Sequence, residues 1–511
     1  MAQWDRSCDV LVVGSGAGGM VAAYTAAREG LDVTLIESTD KYGGTSAYSG
    51  GGMWLPCNAV LRRAGDDDTM ESARAYYHAV VGDRTPRALQ DAYLDTGARL
   101  IDYLEQDPGF TFEILPWPDY YGKVPHASAT GRHIIPAAMP TEQLGALIDT
   151  LRPALAVERR GEPMPEELVG GQALIARFLL ALQASGNVAM HLSTALESLV
   201  REGQKVTGAV LRTPEGPVRI EARRGIVLAA GGFERNAQMR ATYQVPGTVA
   251  GSMAPPGNTG GAIEAGVAIG ADTDLMDQAW WSPGLLQPDG SATFTLGFLG
   301  GIFVDDKGQR FMDESVAYDR AGRRIIELVR EGSLTLPFWY IYDNRDDGMP
   351  PILWPNVPFD DPAAYRAAGL WRSAPTLAEL AQRIDVSAEA LEAAVARFND
   401  HCERQQDTDF QRGDEPYERV VVYGQSPLVP ITDGPFHAAA FALSDLGTKG
   451  GLRTDEHARV LDTSGAVLEG LYAAGNTMAA VSGEAYPGGG NPVGSSMVFG
   501  FLAAQHIGAK G

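Results

Sequence analysis

The chain has 511 residues, of which 41 are basic and 64 acidic, for a formal net charge of −23. That length holds two or more domains around a large core, and 45% apolar with 21% charged residues is ordinary for a globular protein. The acidic balance argues against a nucleic-acid partner and against long-range attraction to anionic lipid.

Cys8, Cys57 and Cys402 are odd in number and far apart, without metal-ligand spacing or a disulfide framework, which fits a reducing compartment. The eight histidines form no H-x-x-x-H pair, and no metal is expected. No uninterrupted apolar run reaches the ~18–20 residues that span a bilayer. A core strand beginning at Cys8 leaves no room for a signal peptide. A cytoplasmic location is expected, with peripheral contact to a membrane surface left open.

The first element, CDVLVV, reads as a buried strand, short, apolar and β-branched. Gly14, Gly16 and Gly19 follow it as G-x-G-x-x-G, with Ser15, Ala17 and Gly18 between them and a helical pattern through Ala27. LDVTLIE is a second strand, ending at Glu37, 18 residues after Gly19. A lone glycine triplet carries little, but inside strand–turn–helix–strand–acid it marks a dinucleotide site. Gly14 permits the tight turn, Gly16 the approach of a pyrophosphate, and Gly19 close packing of helix on strand. The helix N-terminus faces the phosphates and Glu37 a ribose.

FAD and NAD share that fingerprint. Three features favour FAD. The loop after Glu37, from Ser38 through Gly43, Gly44, Thr45, Ser46, Ser49, Gly50 and Gly51, alternates glycine and hydroxyl groups suited to pyrophosphate, ribityl and ring contacts. Two later strands end in small residues, GIVLAAGGF at Ala230 and Gly231 and GLYAAGN at Gly475 and Asn476. No second G-x-G-x-x-G unit offers a separate nicotinamide domain.

Residues 68–107 carry helical periodicity, with Thr85 and Pro86 as N-cap and first helical residue. Residues 108–170 form an irregular excursion, GGQALIARFLLAL a helix, and 254–272 a glycine turn into another helix. After Gln278 the character changes: QAWWSPGLLQ is aromatic, and GIFVDDKGQRF predicts a hairpin at Lys307-Gly308. Thr376 and Glu379 open a helical block at 376–400 as a capping box, and FHAAAFALS is a strand. The resulting fold class is α/β, a Rossmann-like FAD-binding domain with an inserted α+β catalytic domain. Residues 1–277, with a helical excursion at about 60–170, and 446–511 form the first, and 278–445 the insert.

VVGSGAGG, YGGTSAYSGG, LAAGGFERN, GIFVDDKGQRFMDE, TLAELAQRI, TKGGLRTDEHARVLD and GLYAAGN together resemble the FAD-dependent fumarate reductase/3-ketosteroid dehydrogenase superfamily nearly end to end. Within it, PDYYG, DESVAYDRAGR and SGEAYPGGGNPVG resemble 3-oxosteroid 1-dehydrogenases. The resemblance implies removal of hydrogens from C1 and C2 of a 3-ketosteroid A ring, with Tyr318 as base, Tyr120 beside it, and Tyr486 with the Gly490 amide on the C3 carbonyl. Tyr121 adjoins Tyr120, so that assignment could fall on either. A hydrogen bond from Tyr120 should favour the phenolate of Tyr318. FAD is expected to be non-covalent, because no histidine lies between Glu37 and Asn58, where relatives with covalent flavin carry theirs. The partners implied are a hydrophobic steroid and an unidentified electron acceptor.

PVGSSMVFGFLAAQHI reads as a helix starting after Pro492, whose free amides at Val493 and Gly494 would face the flavin. Gly494 reads equally as a packing glycine, and Asn491 has no assigned role. Trp280, Trp281, Leu285, Phe294 and Phe298 suit a steroid pocket or a core. A ketosteroid 4-dehydrogenase and a fumarate-type reductase are the alternatives; the latter would draw its cations from Arg310, Arg320, Arg323 and Arg324.

Overall fold

Strand Arg6–Val13 sits in the parallel part of a mixed sheet because its run of apolar residues is covered on both faces. Val10–Val13 pair in parallel with Val33–Ile36 on one side and with Gly225–Leu228 on the other. Strand Val188–His191 lies beyond Val33–Ile36. On the opposite flank Leu471–Ala473, from the far end of the chain, pair with Ile226–Leu228. The computed structural model describes residues 4–509.

Helix Ala17–Arg28 packs against this sheet and against the final helix, Asn491–Gly508. The two helices meet backbone to backbone: a Cβ on Gly500 would lie 2.2 Å from the Gly18 carbonyl oxygen. The two chain ends thus form one helical layer against the sheet, beside the carboxyl edge where ligands of open parallel sheets bind.

A second sheet is antiparallel and draws its strands from Ala279 to Thr448. Its long strand Phe436–Thr448 pairs with Ala279–Leu286 and with Phe338–Tyr342. Helix Tyr318–Arg330 lies on Ala279–Leu286, held close because a Cβ on Gly322 would come within 2.7 Å of the Trp281 Cβ.

The 68–107 pattern forms helices Met70–Val81 and Arg87–Leu104, the second starting beside the Thr85-Pro86 pair as expected, but Pro86 itself takes the N-cap position. The Thr85 hydroxyl is diverted to the Val481 carbonyl at 2.7 Å, so it does not cap. Around Lys307-Gly308 the chain turns, but only Val304 and Arg310 bridge; Ile302–Val304 pairs instead with Phe338–Tyr342, more than thirty residues on. The 376–400 block is likewise two helices, Leu377–Ile384 and Ala388–Arg404, separated by Asp385 in the left-handed conformation. Thr376 accepts the Glu379 amide as expected, and Ser387 caps the second helix.

Cys8, Cys57 and Cys402 are free. His401 approaches Asp407 and Asp409, a cluster the sequence pattern did not show; Arg310 and Arg397 already pair with those carboxylates. Among the described residues no helix is long and apolar enough to cross a membrane.

Candidate active site

A cavity of about 680 Å³ runs from the carboxyl edge of the parallel sheet into the space beneath the antiparallel one. Its polar end is built by the glycine turn. Gly14, Ser15 and Gly16 line it, whereas Ala17, Gly18 and Gly19 do not. Those three support it: a Cβ on Gly19 would lie 1.9 Å from the Gly14 oxygen, Gly18 abuts Ser496, and the Ala17 amide donates to Ser46 Oγ at 3.0 Å.

Glu37 and Ser38 also line this end. The Glu37 carboxylate is buried and accepts from the Ser15 hydroxyl at 2.6 Å and from the Thr39 amide and hydroxyl at 2.9 and 3.0 Å. Gly44, Thr45, Ser46, Ser49 and Gly50 form the facing wall. Gly43 and Gly51 stand behind it: the Gly43 amide donates to Ser15 Oγ, and a Cβ on Gly51 would meet the Gly170 backbone at 2.4 Å. Ala230, Gly231, Gly475 and Asn476 floor the passage toward the other end, where Pro492 and Val493 line it.

This donor set fits FAD. Gly16 and Gly44 face each other bare, a Cβ on Gly44 lying only 3.7 Å from the Gly16 Cα, so side chains here would fill the space between them. Gly14, Ser15 and Gly16 line this end just ahead of helix Ala17–Arg28, whose N-terminal dipole favours a diphosphate there, and Glu37 presents a carboxylate for a diol. Small residues leave a flat floor for an isoalloxazine.

The final helix starts at Asn491, not after Pro492, with Gly490 as left-handed N-cap at φ 80°. The Gly494 amide is consequently spent on the Gly490 carbonyl at 2.9 Å, and its Cα packs near Leu55 and the Tyr93 hydroxyl. Gly494 is therefore a packing glycine. Val493 keeps an amide with no backbone acceptor among the described residues. Asn491 turns away from the cavity: it is fully buried near Tyr77 and Tyr93, and among the described residues neither its Oδ1 nor its Nδ2 has a hydrogen-bond partner.

The apolar end holds three phenols in mutual edge contact. Ring centroids of Tyr120 and Tyr318 are 5.4 Å apart, those of Tyr120 and Tyr486 5.1 Å, and those of Tyr318 and Tyr486 5.5 Å. Tyr318 opens helix Tyr318–Arg330. Tyr120 is anchored by its amide to the Pro487 carbonyl at 3.0 Å, which locks it to the segment carrying Tyr486. Trp117 Nε1 donates to the Tyr120 hydroxyl at 3.2 Å. The neighbouring Tyr121 lies outside the trio, with the Arg320 guanidinium 5.2 Å from its ring. The Gly490 amide lies beside the Tyr486 hydroxyl and holds it lower. Trp280 and Phe294 line the cavity too; Trp281, Leu285 and Phe298 do not.

Burial is the largest influence on all three hydroxyls. It pushes Tyr318 and Tyr120 far above the usual phenol range and Tyr486 to about 12, where bonds from Tyr318 and the Gly490 amide hold it lower. Tyr120 and Tyr318 stand in contact, and a hydrogen bond between them stabilises whichever of the two is ionised. Without a substrate, Tyr486 is the easiest of the three to ionise.

Sequence reading missed several lining residues. The segment Pro255–Ala262 borders the cofactor end; its glycine turn was visible, but nothing local tied it to this cavity. His133 is another, its ring reaching Gly52, and Tyr417 packs on Tyr120 at 4.9 Å from a distant helix.

The glycine cradle opening into an aromatic chamber defines an FAD-dependent oxidoreductase. A family model described as FAD binding domain matches residues 9–493, and the 3-oxosteroid 1-dehydrogenase of Mycolicibacterium smegmatis is 37% identical, covering 98% of this chain and 97% of its own. The chain belongs to the 3-oxosteroid 1-dehydrogenase family, within the wider FAD-binding family. The 4-oxocyclohexanecarboxylate 2-dehydrogenase of Sinomonas cyclohexanicum is 34% identical over 98% of this chain and 92% of its own. The crystal structure of 3-ketosteroid delta1-dehydrogenase from Sterolibacterium denitrificans, in complex with 1,4-androstadiene-3,17-dione, superposes with a TM-score of 0.90 at 34% identity, covering 99% and 100% of the two chains.

Proposed function

We propose that the protein dehydrogenates the C1–C2 bond of 3-ketosteroids. The observation that carries this is the phenol trio at the apolar end of the cavity, with the Gly490 amide on the Tyr486 hydroxyl. A C3 carbonyl oxygen brought between Tyr486 O–H and Gly490 N–H accepts a bond from each. Those donors grow stronger as enolate charge develops, which acidifies the C2 hydrogens. Tyr318 takes the C2 proton. A carbonyl that engages Tyr486 also removes one of the bonds that raise Tyr318. Tyr120, with Trp117 on its hydroxyl, then shares the proton at Tyr318.

FAD, held non-covalently by the glycine cradle and Glu37, supplies the acceptor for the C1 hydride. The Val493 amide at the start of the final helix is the chain's donor for negative charge arising at that end. Trp117, Trp280 and Phe294 exclude water from the chamber.

A fumarate-type reaction needs cationic clamps for two carboxylates, and the arginines near Tyr318 are engaged elsewhere. Arg310 binds Glu314 and Asp407, Arg320 binds Glu415, Arg323 binds Asp319, and Arg324 binds Glu327. The cavity's own arginines, Arg152 and Arg212, belong to its polar end: Arg152 donates to Thr39 and Arg212 pairs with Ala195.

Anaerobic mixing with 4-androstene-3,17-dione tests the reading. Bleaching of the flavin with appearance of the 1,4-diene-3-one chromophore is the expected result. Turnover only of 5α-saturated ketones to 4-ene products would assign the other ring bond, and fumarate reduction without steroid turnover would overturn the proposal.

A further inference from the structure

Tyr318 and Tyr486 stand 168 residues apart in sequence, on elements that share no strand pairing. Their hydroxyls must nevertheless hold a fixed separation if one accepts a proton while the other binds the carbonyl next to it. One buried cation spans the gap. Lys449 follows the long strand Phe436–Thr448 and its side chain is completely inaccessible. Its Nζ lies 3.3 Å from Asp319 Oδ1, 2.6 Å from the Glu484 carbonyl and 3.3 Å from the Ala485 carbonyl. It also sits 4.1 Å from the centre of the Trp280 ring.

Each contact touches a neighbour of the phenol trio. Asp319 is the residue after Tyr318 at the start of helix Tyr318–Arg330. Glu484 and Ala485 lead directly into Tyr486. Trp280 packs edge-on against the Tyr486 ring at 4.9 Å. Lys449 is itself fixed at the backbone, its amide donating to Gln278 and its carbonyl accepting from Ala480. An ammonium with three acceptors and an aromatic face is the one side chain that can bind all these groups from one point.

We propose that Lys449 is a positioning residue that sets the distance and angle between Tyr318 and Tyr486, through Asp319 on one side and the 484–485 carbonyls and Trp280 on the other. Burial of an ammonium is expensive and is tolerated only where the site's acceptors compensate it; here burial pulls Lys449 down to about 7, with Asp319 opposing. Arg323 also bonds Asp319 and the Glu484 carbonyl, but it is part-exposed and does not touch Trp280. It therefore keeps the loop attached when Lys449 is lost without fixing its orientation. The role assigned rests on the proposed steroid chemistry, while the geometry it requires does not.

The test compares Lys449→Met with the double variant Lys449→Met/Asp319→Asn, which leaves no uncompensated carboxylate if the single variant folds poorly. Flavin content and thermal unfolding normalise for folded holoenzyme. Single-turnover flavin bleaching by 4-androstene-3,17-dione, per bound flavin, is expected to slow by about 10- to 100-fold, as for a small misplacement of reacting groups. KM should move far less, and the pH–rate profile of the base should shift. A variant whose rate per bound flavin and pH profile stay within about twofold of the parent would overturn the inference. Crystal structures supply a readout independent of substrate: the Tyr318–Tyr486 separation should change in the variant, and an unchanged trio would also overturn it. A parent protein without steroid turnover overturns only the functional proposal, because the structural comparison still decides the role of Lys449.

Discussion

The Tyr486 hydroxyl serves two neighbours before any substrate arrives, the Gly490 amide and Tyr318. Those neighbours hold it nearer the ordinary phenol value than its two companions, as suits the donor pair proposed with Gly490. Tyr486→Phe keeps the ring that packs against Tyr120, Tyr318 and Trp280 and removes only the donor. Loss of one such donor costs about 2.7–4 kcal/mol of transition-state stabilisation, so kcat should fall about 10²–10³-fold with flavin content unchanged. Tyr318→Phe acts differently, because it removes the proposed base. Residual turnover in that variant should lose the parent's rise toward alkaline pH, which a pH–rate profile reads directly. Asn491, between the two functional surfaces, belongs to neither. Its amide is buried against Tyr77 and Tyr93, so it contributes to packing behind the helix start.

At the scale of elements, Gly490 joins the proposed carbonyl site to the cofactor cradle. It caps the final helix at φ 80°, where an L side chain is strained, and a Cβ would lie 2.2 Å from the Gly52 carbonyl carbon. The obstruction is backbone, which cannot swing aside. Gly490→Ala should therefore move the helix start, lowering the melting temperature and the flavin content together while also reducing turnover; calorimetry and the flavin-to-protein absorbance ratio check this. Such local features were legible in the sequence. The glycine turn, the acid at Glu37 and the Thr376 cap depend on residues a few places apart, and they lie where the pattern put them. Misreadings arose where a distant partner won. Thr85 was taken by Val481, Ile302–Val304 by Phe338–Tyr342, and the Gly494 amide by a helix that begins earlier than Pro492 suggested. The aromatic chamber was least accessible to periodicity, since Tyr120, Tyr318, Tyr417 and Tyr486 come from four separate segments. Three of them were named only through family resemblance, and Tyr417 not at all.

The whole molecule is organised around one cavity that both chain ends and the antiparallel sheet enclose, and His133 stands where these parts meet. It lies on strand His133–Pro136, lines the cavity beside Trp117, and is 6% exposed. Among the described residues its Nδ1 has no hydrogen-bond partner. Burial lowers it from the ordinary 6.5 to about 4. Between those values the unfolded chain binds a proton at this position and the folded chain does not, so stability rises with pH across that window and is lost as pH falls through it. The acidic residues of a chain carrying −23 also titrate toward the lower end, so a bare pH dependence would not isolate one histidine. His133→Gln retains a polar side chain of similar reach and removes the titration. Urea unfolding of the holoenzyme at pH 7 and at pH 5 should show the parent losing more stability on acidification than the variant, with equal m-values in both. Equal losses in parent and variant would mean that His133 accepts its proton in the folded protein, through water or cofactor reaching its ring.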